Sequence, residues 1–176
     1  GNAYLDSGGS VYNLVQYPAA FPGVIGVGAI TKTGQRSSFS EVGKQVDVVA
    51  PGGSGAFDSA KGIFSTFTGS SYVRMPGTSM AAPFVTAAAA LTVSRERALG
   101  IDVDTEDLLL GTASDLGGPG RAAEFGFGLV NPVSALDTIT ALSASGGQLP
   151  VVTPSEVTTR IVRRISVDVR AGYLRY

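Results

Sequence analysis

The sequence predicts an α/β layer protein, a mostly parallel sheet flanked by helices. Three observations predict it. First, residues 24–30 are a short apolar run, the pattern of a buried strand, and residues 46–50 read as a second short strand. Second, an Ala-rich stretch from Ser79 to about Leu99 is strongly helix-forming and is closed by Gly100. Third, further helix signals downstream are separated by a Gly-spaced extended segment at 125–130.

The elements follow in order. Residues 1–16 are polar and Gly/Ser-rich until Val11 and read as loop. Residues 17–22 hold two prolines and read as a turn before the first strand. Residues 31–41 are loop, and the second strand stops at Pro51-Gly52-Gly53. Residues 63–67 and 71–75 read as strands around the turn Thr68-Gly69-Ser70. Pro76-Gly77 then breaks the pattern. Pro83 falls in the first turns of the Ala-rich helix, where a missing N–H costs least. Asp104 can cap a helix over 105–113, with Glu106 and Asp107 in its first turn. Asn131-Pro132 is an N-cap followed by Pro at N1, opening a helix to about Ala141. Residues 143–148 are linker-like. Beyond them Ile165, Val167 and Val169 alternate with Ser166, Asp168 and Arg170, which is strand periodicity, in a tail made basic by five arginines.

Composition narrows the function. A chain of 176 residues, 44% hydrophobic and 15% charged, suits a globular domain with a core rather than disorder. The net charge of −1 offers no reason to expect a nucleic-acid partner. The richest apolar stretch, 80–93, is too short to span a membrane. Cysteine is absent, which removes disulfides, thiolate metal sites and a Cys nucleophile together. Histidine is absent too, and this count matters most. A hydroxyl nucleophile usually needs a base, most often His, so any such base must come from outside these residues.

The chemistry-bearing candidate is Ser79, at the start of the Ala-rich helix. Unsatisfied N–H groups and the helix dipole favour negative charge there, and an oxyanion formed on Ser79 would sit in that field. The competing reading is plain capping, a common use of Ser and Thr at a helix start. The Gly-x-Ser-x-Gly elbow of α/β-hydrolases is not matched, and no P-loop is present.

Gly77-Thr78-Ser79-Met80-Ala81-Ala82-Pro83 resembles the nucleophile signature of the subtilase family. Four further segments resemble that family's second half, in the same order: Gly1-Asn2, residues 17–29, residues 39–52 and residues 125–131. The likeness covers roughly residues 1–140. It implies a subtilisin-like fold, present here as its C-terminal part over 1–142, with 143–176 as a linker and strand-like extension. It also implies a secreted serine endopeptidase.

The resemblance assigns roles residue by residue. Ser79 matches the acylating serine, and Asn2 the side-chain donor of the oxyanion hole, with Thr78 beside it. Gln16 matches the floor of the primary specificity pocket, and Gly1 part of its wall. Pro18 falls where the family carries a cis proline. A weak Ca²⁺ or Na⁺ site would use backbone oxygens of Ala19, Phe21 and Val24 with the Asp47 carboxylate. Gln45 stands where a second acid sometimes appears. Asn2, Gln16 and Asp47 also read as ordinary loop and strand-end residues. No cofactor is expected for the chemistry. The family's Asp and His lie upstream of Gly1, so the expected partners are an N-terminal fragment of the same protease and a peptide substrate. The alternative is a non-catalytic subtilase-like binding or scaffold module.

Overall fold

The computed structural model describes residues 1–2, 17–118 and 120–146. Gln16 and the strand expected at 165–170 lie outside the described residues. The chain divides into two compact units, residues 1–87 with 114–130, and residues 88–113 with 131–176.

In the first unit β1 (Val27–Ile30) pairs in parallel with β2 (Val48–Pro51), Val27 opposite Val48 and Ile30 opposite Pro51. On its other side β2 meets the 125–130 segment, with a parallel bridge from Val49 to Leu129. Val49 N–H donates to the Gly128 carbonyl at 2.9 Å, and Val130 N–H to the Val49 carbonyl at 2.9 Å. Ala29, Val48, Val49 and Ala50 are wholly buried, which explains the apolar character of both strands. Ile30, Val46 and Val49 form a core with Leu116, Phe125 and Leu129 packed against it.

β1 starts later than the apolar run does. Val24 N–H closes a turn onto the Phe21 carbonyl at 3.2 Å, and Gly26 N–H goes to Asp47 Oδ2 at 2.8 Å. Those residues are engaged before any ladder can begin. The loop after β1 folds back on the strand. Ser40 Oγ accepts from Ala29 N–H at 2.9 Å, and Ser37 N–H donates to the Ala29 carbonyl at 2.9 Å. Both serines are wholly buried, so each polar group there needs such a partner. β3 (Ile63–Phe67) and β4 (Ser71–Met75) form the expected hairpin, antiparallel, with Ile63 opposite Met75.

α1 (Thr78–Leu99) begins one residue before the expected Ser79. Pro83 is therefore its sixth residue. It lies past the positions where a missing N–H is free, and it removes the helical bond that would reach the Ser79 carbonyl. Thr78, Ala81, Val85, Ala88, Thr92 and Glu96 make one buried stripe along α1. The opposite stripe, Phe84, Ala87, Leu91, Ser94 and Ala98, is exposed although mostly apolar. Gly100, at φ +65°, stops the helix. Its N–H donates to the Arg97 carbonyl and the Ile101 N–H to the Glu96 carbonyl, the paired bonds of a Schellman ending.

In the second unit α2 (Thr105–Gly111) is capped by Asp104, whose Oδ1 accepts from Asp107 N–H at 2.9 Å. The helix stops two residues short of the expected end. α3 (Pro132–Ala144) is capped by Asn131, which accepts from Ser134 N–H at 3.0 Å, and runs three residues past the expected end. The two helices are in contact, and Leu109, Ala135 and Ile139 are wholly buried.

Candidate active site

The site grows out of the C-terminal end of β2. Gly52 follows the strand directly, and its carbonyl accepts from Gly77 N–H at 2.9 Å. Gly52 N–H is itself held by the Ile30 carbonyl at 3.0 Å. This position admits no side chain: a Cβ on Gly52 would come within 2.4 Å of Ala29 Cβ and 2.8 Å of the Gly77 carbonyl. The sheet end thus fixes the backbone just before the nucleophile candidate. The Gly77 carbonyl accepts from Met80 N–H at 3.0 Å and Ala81 N–H at 3.3 Å, which starts α1.

Ser79 is exposed at this helix start. No acidic side chain stands in the first turn, so α1 does not itself neutralise the positive end of its dipole. Beside it Asn2 Oδ1 accepts two hydrogen bonds, from Thr78 N–H at 3.0 Å and from Thr78 Oγ1 at 2.9 Å. A backbone N–H can only donate, so the contacting atom is the amide oxygen, and the amide NH₂ is left as a donor. That NH₂ lies near Gly77, within 3.5 Å of where a Cβ on Gly77 would sit. Ser79, Thr78 and Asn2 are therefore brought together across 76 residues of sequence.

Gly1 lies on a different feature. Its carbonyl accepts from Glu41 N–H at 3.1 Å, and it lines a cavity of about 30 Å³ together with Ala19, Gly26, Ser40 and Gln45. That volume holds about one water, and Ser79 is not on its lining.

The expected cation ligands are only partly suited to an ion. The Tyr17–Pro18 peptide is cis, as the resemblance implies. The Phe21 carbonyl already accepts the Val24 N–H. Both Asp47 oxygens are engaged, Oδ2 by Gly26 N–H at 2.8 Å and Oδ1 by Arg121 Nη2 at 2.8 Å. Among the described residues no group of three or more acidic or histidine side chains could hold a metal. The one carboxylate of the set is therefore already held at both oxygens, one of them by a guanidinium, which suits it poorly to a cation. Reasoning from sequence missed Gly52, Ser40 and Arg121. Pro51-Gly52 after an apolar run was the one visible signal for Gly52; the other two act on distant backbone and carry none.

A parallel sheet whose end feeds a helix-start serine, with an asparagine amide fixed beside it, defines a subtilisin-like α/β protein. Solved structures agree. A protease from Pseudoalteromonas arctica superimposes with a TM-score of 0.61 at 30% identity, over 70% of this chain and 38% of that one. The self-cleaved protease domain of PatA gives 0.58 at 30% identity, over 71% and 44%. The model of the subtilase family matches residues 1–128, and the chain belongs to that family. It is 41% identical to Subtilisin NAT of Bacillus subtilis subsp. natto over 123 residues, 70% of this chain and 29% of that protein. It is 37% identical to Subtilisin BL of Lederbergia lenta over 129 residues, 73% and 44% respectively. The chain thus spans less than half the length of these curated relatives.

Proposed function

We propose that this chain is the C-terminal part of the catalytic domain of a serine endopeptidase that works through an acyl-enzyme on Ser79. The observation that carries the reading is the double hydrogen bond from Thr78 to Asn2, which holds the Asn2 amide against the residue before an exposed serine. Ser79 Oγ attacks the scissile carbonyl, and the developing oxyanion is held by the Asn2 NH₂ and the Ser79 N–H. A His supplied by an N-terminal segment of the same protease takes the serine proton and returns it to the leaving amine, while an Asp orients that His. The acyl-enzyme is then hydrolysed by water. No cofactor enters these steps. Gln16 and Gly1 would line the primary specificity pocket. The protein acts outside the cell.

The need for an N-terminal segment has support beyond the missing histidine. An Ala-rich helix that is apolar on most sides is normally covered on most sides. In α1 the stripe carrying Phe84 and Leu91 is open, with those residues 43% and 51% exposed. The upstream half of the domain is the natural cover.

Labelling with a serine-directed fluorophosphonate, joined to intact-mass analysis, tests the reading. Labelling at Ser79 in a species that also holds an N-terminal fragment supports it. A folded chain that resists the probe in the presence of that fragment would refute it. The absence of His from all 176 residues favours one rival, a non-catalytic binding or scaffold module. That rival predicts a lone, folded, unlabelled chain.

A further inference from the structure

Asp47 stands where a weakly held metal ion was expected, yet its carboxylate faces a guanidinium. We infer that Arg121 is a positioning residue that takes that ion's place on the Asp47 carboxylate, tying residues 44–47 to the 121–128 segment. Arg121 Nη2 lies 2.8 Å from Asp47 Oδ1 and 3.1 Å from the Val46 carbonyl, and it also donates to the Lys44 carbonyl. One carboxylate and two carbonyls around a single positive charge are oxygen donors of the kind a hard cation uses, but the carbonyls are those of Lys44 and Val46 and not of the expected Ala19, Phe21 and Val24. The ligand shared with the expected site is Asp47. The guanidinium carbon is 5.4 Å from the centre of the Phe127 ring, which adds a cation–π contact.

The clamp reinforces a seam that the backbone already makes. Phe127 N–H donates to the Asp47 carbonyl at 2.8 Å, and Gly43 N–H to the Ala123 carbonyl at 2.9 Å. A Cβ on Gly126 would strike the Asp47 and Val46 carbonyl oxygens, at 2.3 and 2.6 Å, so the two segments are pressed together. β2 begins at the next residue and ends at the Gly52 anchor. A metal approaching Oδ1 would meet the like charge of the guanidinium at close range. The side chains are 37% and 19% exposed, so water screens the pair only in part. The inference stands on this geometry and not on the protease reading.

The test compares the parent protein with Asp47→Asn, Arg121→Gln, Arg121→Lys and the double variant Arg121→Gln/Asp47→Asn. Thermal midpoints are measured with chelator and with millimolar Ca²⁺ at fixed ionic strength. Tb³⁺ luminescence serves as the binding probe. The parent midpoint should be the same with chelator and with Ca²⁺, and Asp47→Asn should leave Tb³⁺ emission unchanged. Arg121→Gln should lower the midpoint by roughly 3–6 °C. Ca²⁺ should recover part of that loss, the recovery should vanish in the double variant, and Arg121→Lys should lose less. A parent that binds Tb³⁺ through Asp47 would overturn the inference. So would an Arg121→Gln variant with the parent midpoint, or one that Ca²⁺ leaves unrecovered. Should Arg121→Gln not fold, the Tb³⁺ titrations of parent and Asp47→Asn still decide.

Discussion

Thr78→Val probes the oxyanion donor without touching it. Valine keeps the β-branched shape at a position only 9% exposed, so packing is preserved while the hydroxyl is lost. Asn2 Oδ1 then keeps the Thr78 N–H at 3.0 Å and loses the Thr78 Oγ1 bond at 2.9 Å. One such bond contributes about 1 kcal/mol net. If that energy holds the amide aimed in the transition state, kcat falls roughly fivefold and KM barely moves. The assay is peptide hydrolysis by the assembled enzyme, with fluorophosphonate acylation of Ser79 as a second readout. Asn2→Ala should cost far more, on the order of 10²–10³ in kcat. That figure was established for subtilisin itself and is carried over from the relative, not worked from these distances. Since Thr78 acts through Asn2, adding Thr78→Val to Asn2→Ala should cost nothing further. Thr78→Ser, which keeps the hydroxyl, should restore most of the rate. Equal losses from Thr78→Val with and without Asn2, or no recovery with Ser, would refute the reasoning.

Two other perturbations follow from the same region. Gly52→Ala forces a Cβ into Ala29 and the Gly77 carbonyl, at 2.4 and 2.8 Å, and should cost about 1–3 kcal/mol of stability. It should also slow Ser79 labelling more than Ala substitutions elsewhere of equal stability cost; denaturant unfolding and labelling rates measure the two together. Ser40→Ala leaves the buried Ala29 N–H without its 2.9 Å acceptor and should cost about 1–3 kcal/mol by denaturant unfolding.

Features specified within a few residues were legible in the sequence. Asp104 and Asn131 cap α2 and α3 as expected, because an N-cap needs only its own side chain and an amide three residues on. The hairpin bounds were read correctly from the turn at Thr68-Gly69-Ser70. The Ser79 segment was legible as a family signature, whereas local chemistry alone left it as a capping serine. The start of β1 was misjudged because Asp47, 21 residues away, takes the Gly26 amide. Pro83 was misjudged because it lies past the four free N–H positions whether the helix starts at Thr78 or at Ser79, so its missing bond to the Ser79 carbonyl is a real loss. Arg121 was invisible for a different reason. Two of its three oxygen partners are backbone carbonyls more than 70 residues earlier, and a carbonyl has no sequence signature.

The Asn2–Thr78 contact joins residues 76 apart, so it exists only when the chain between them has closed on itself. On the proposed reading this acts as an interlock. A partly opened chain can display its serine while its oxyanion hole is incomplete. Cutting power then depends on that closure, and a chain opened there would keep its serine without the hole that makes it useful.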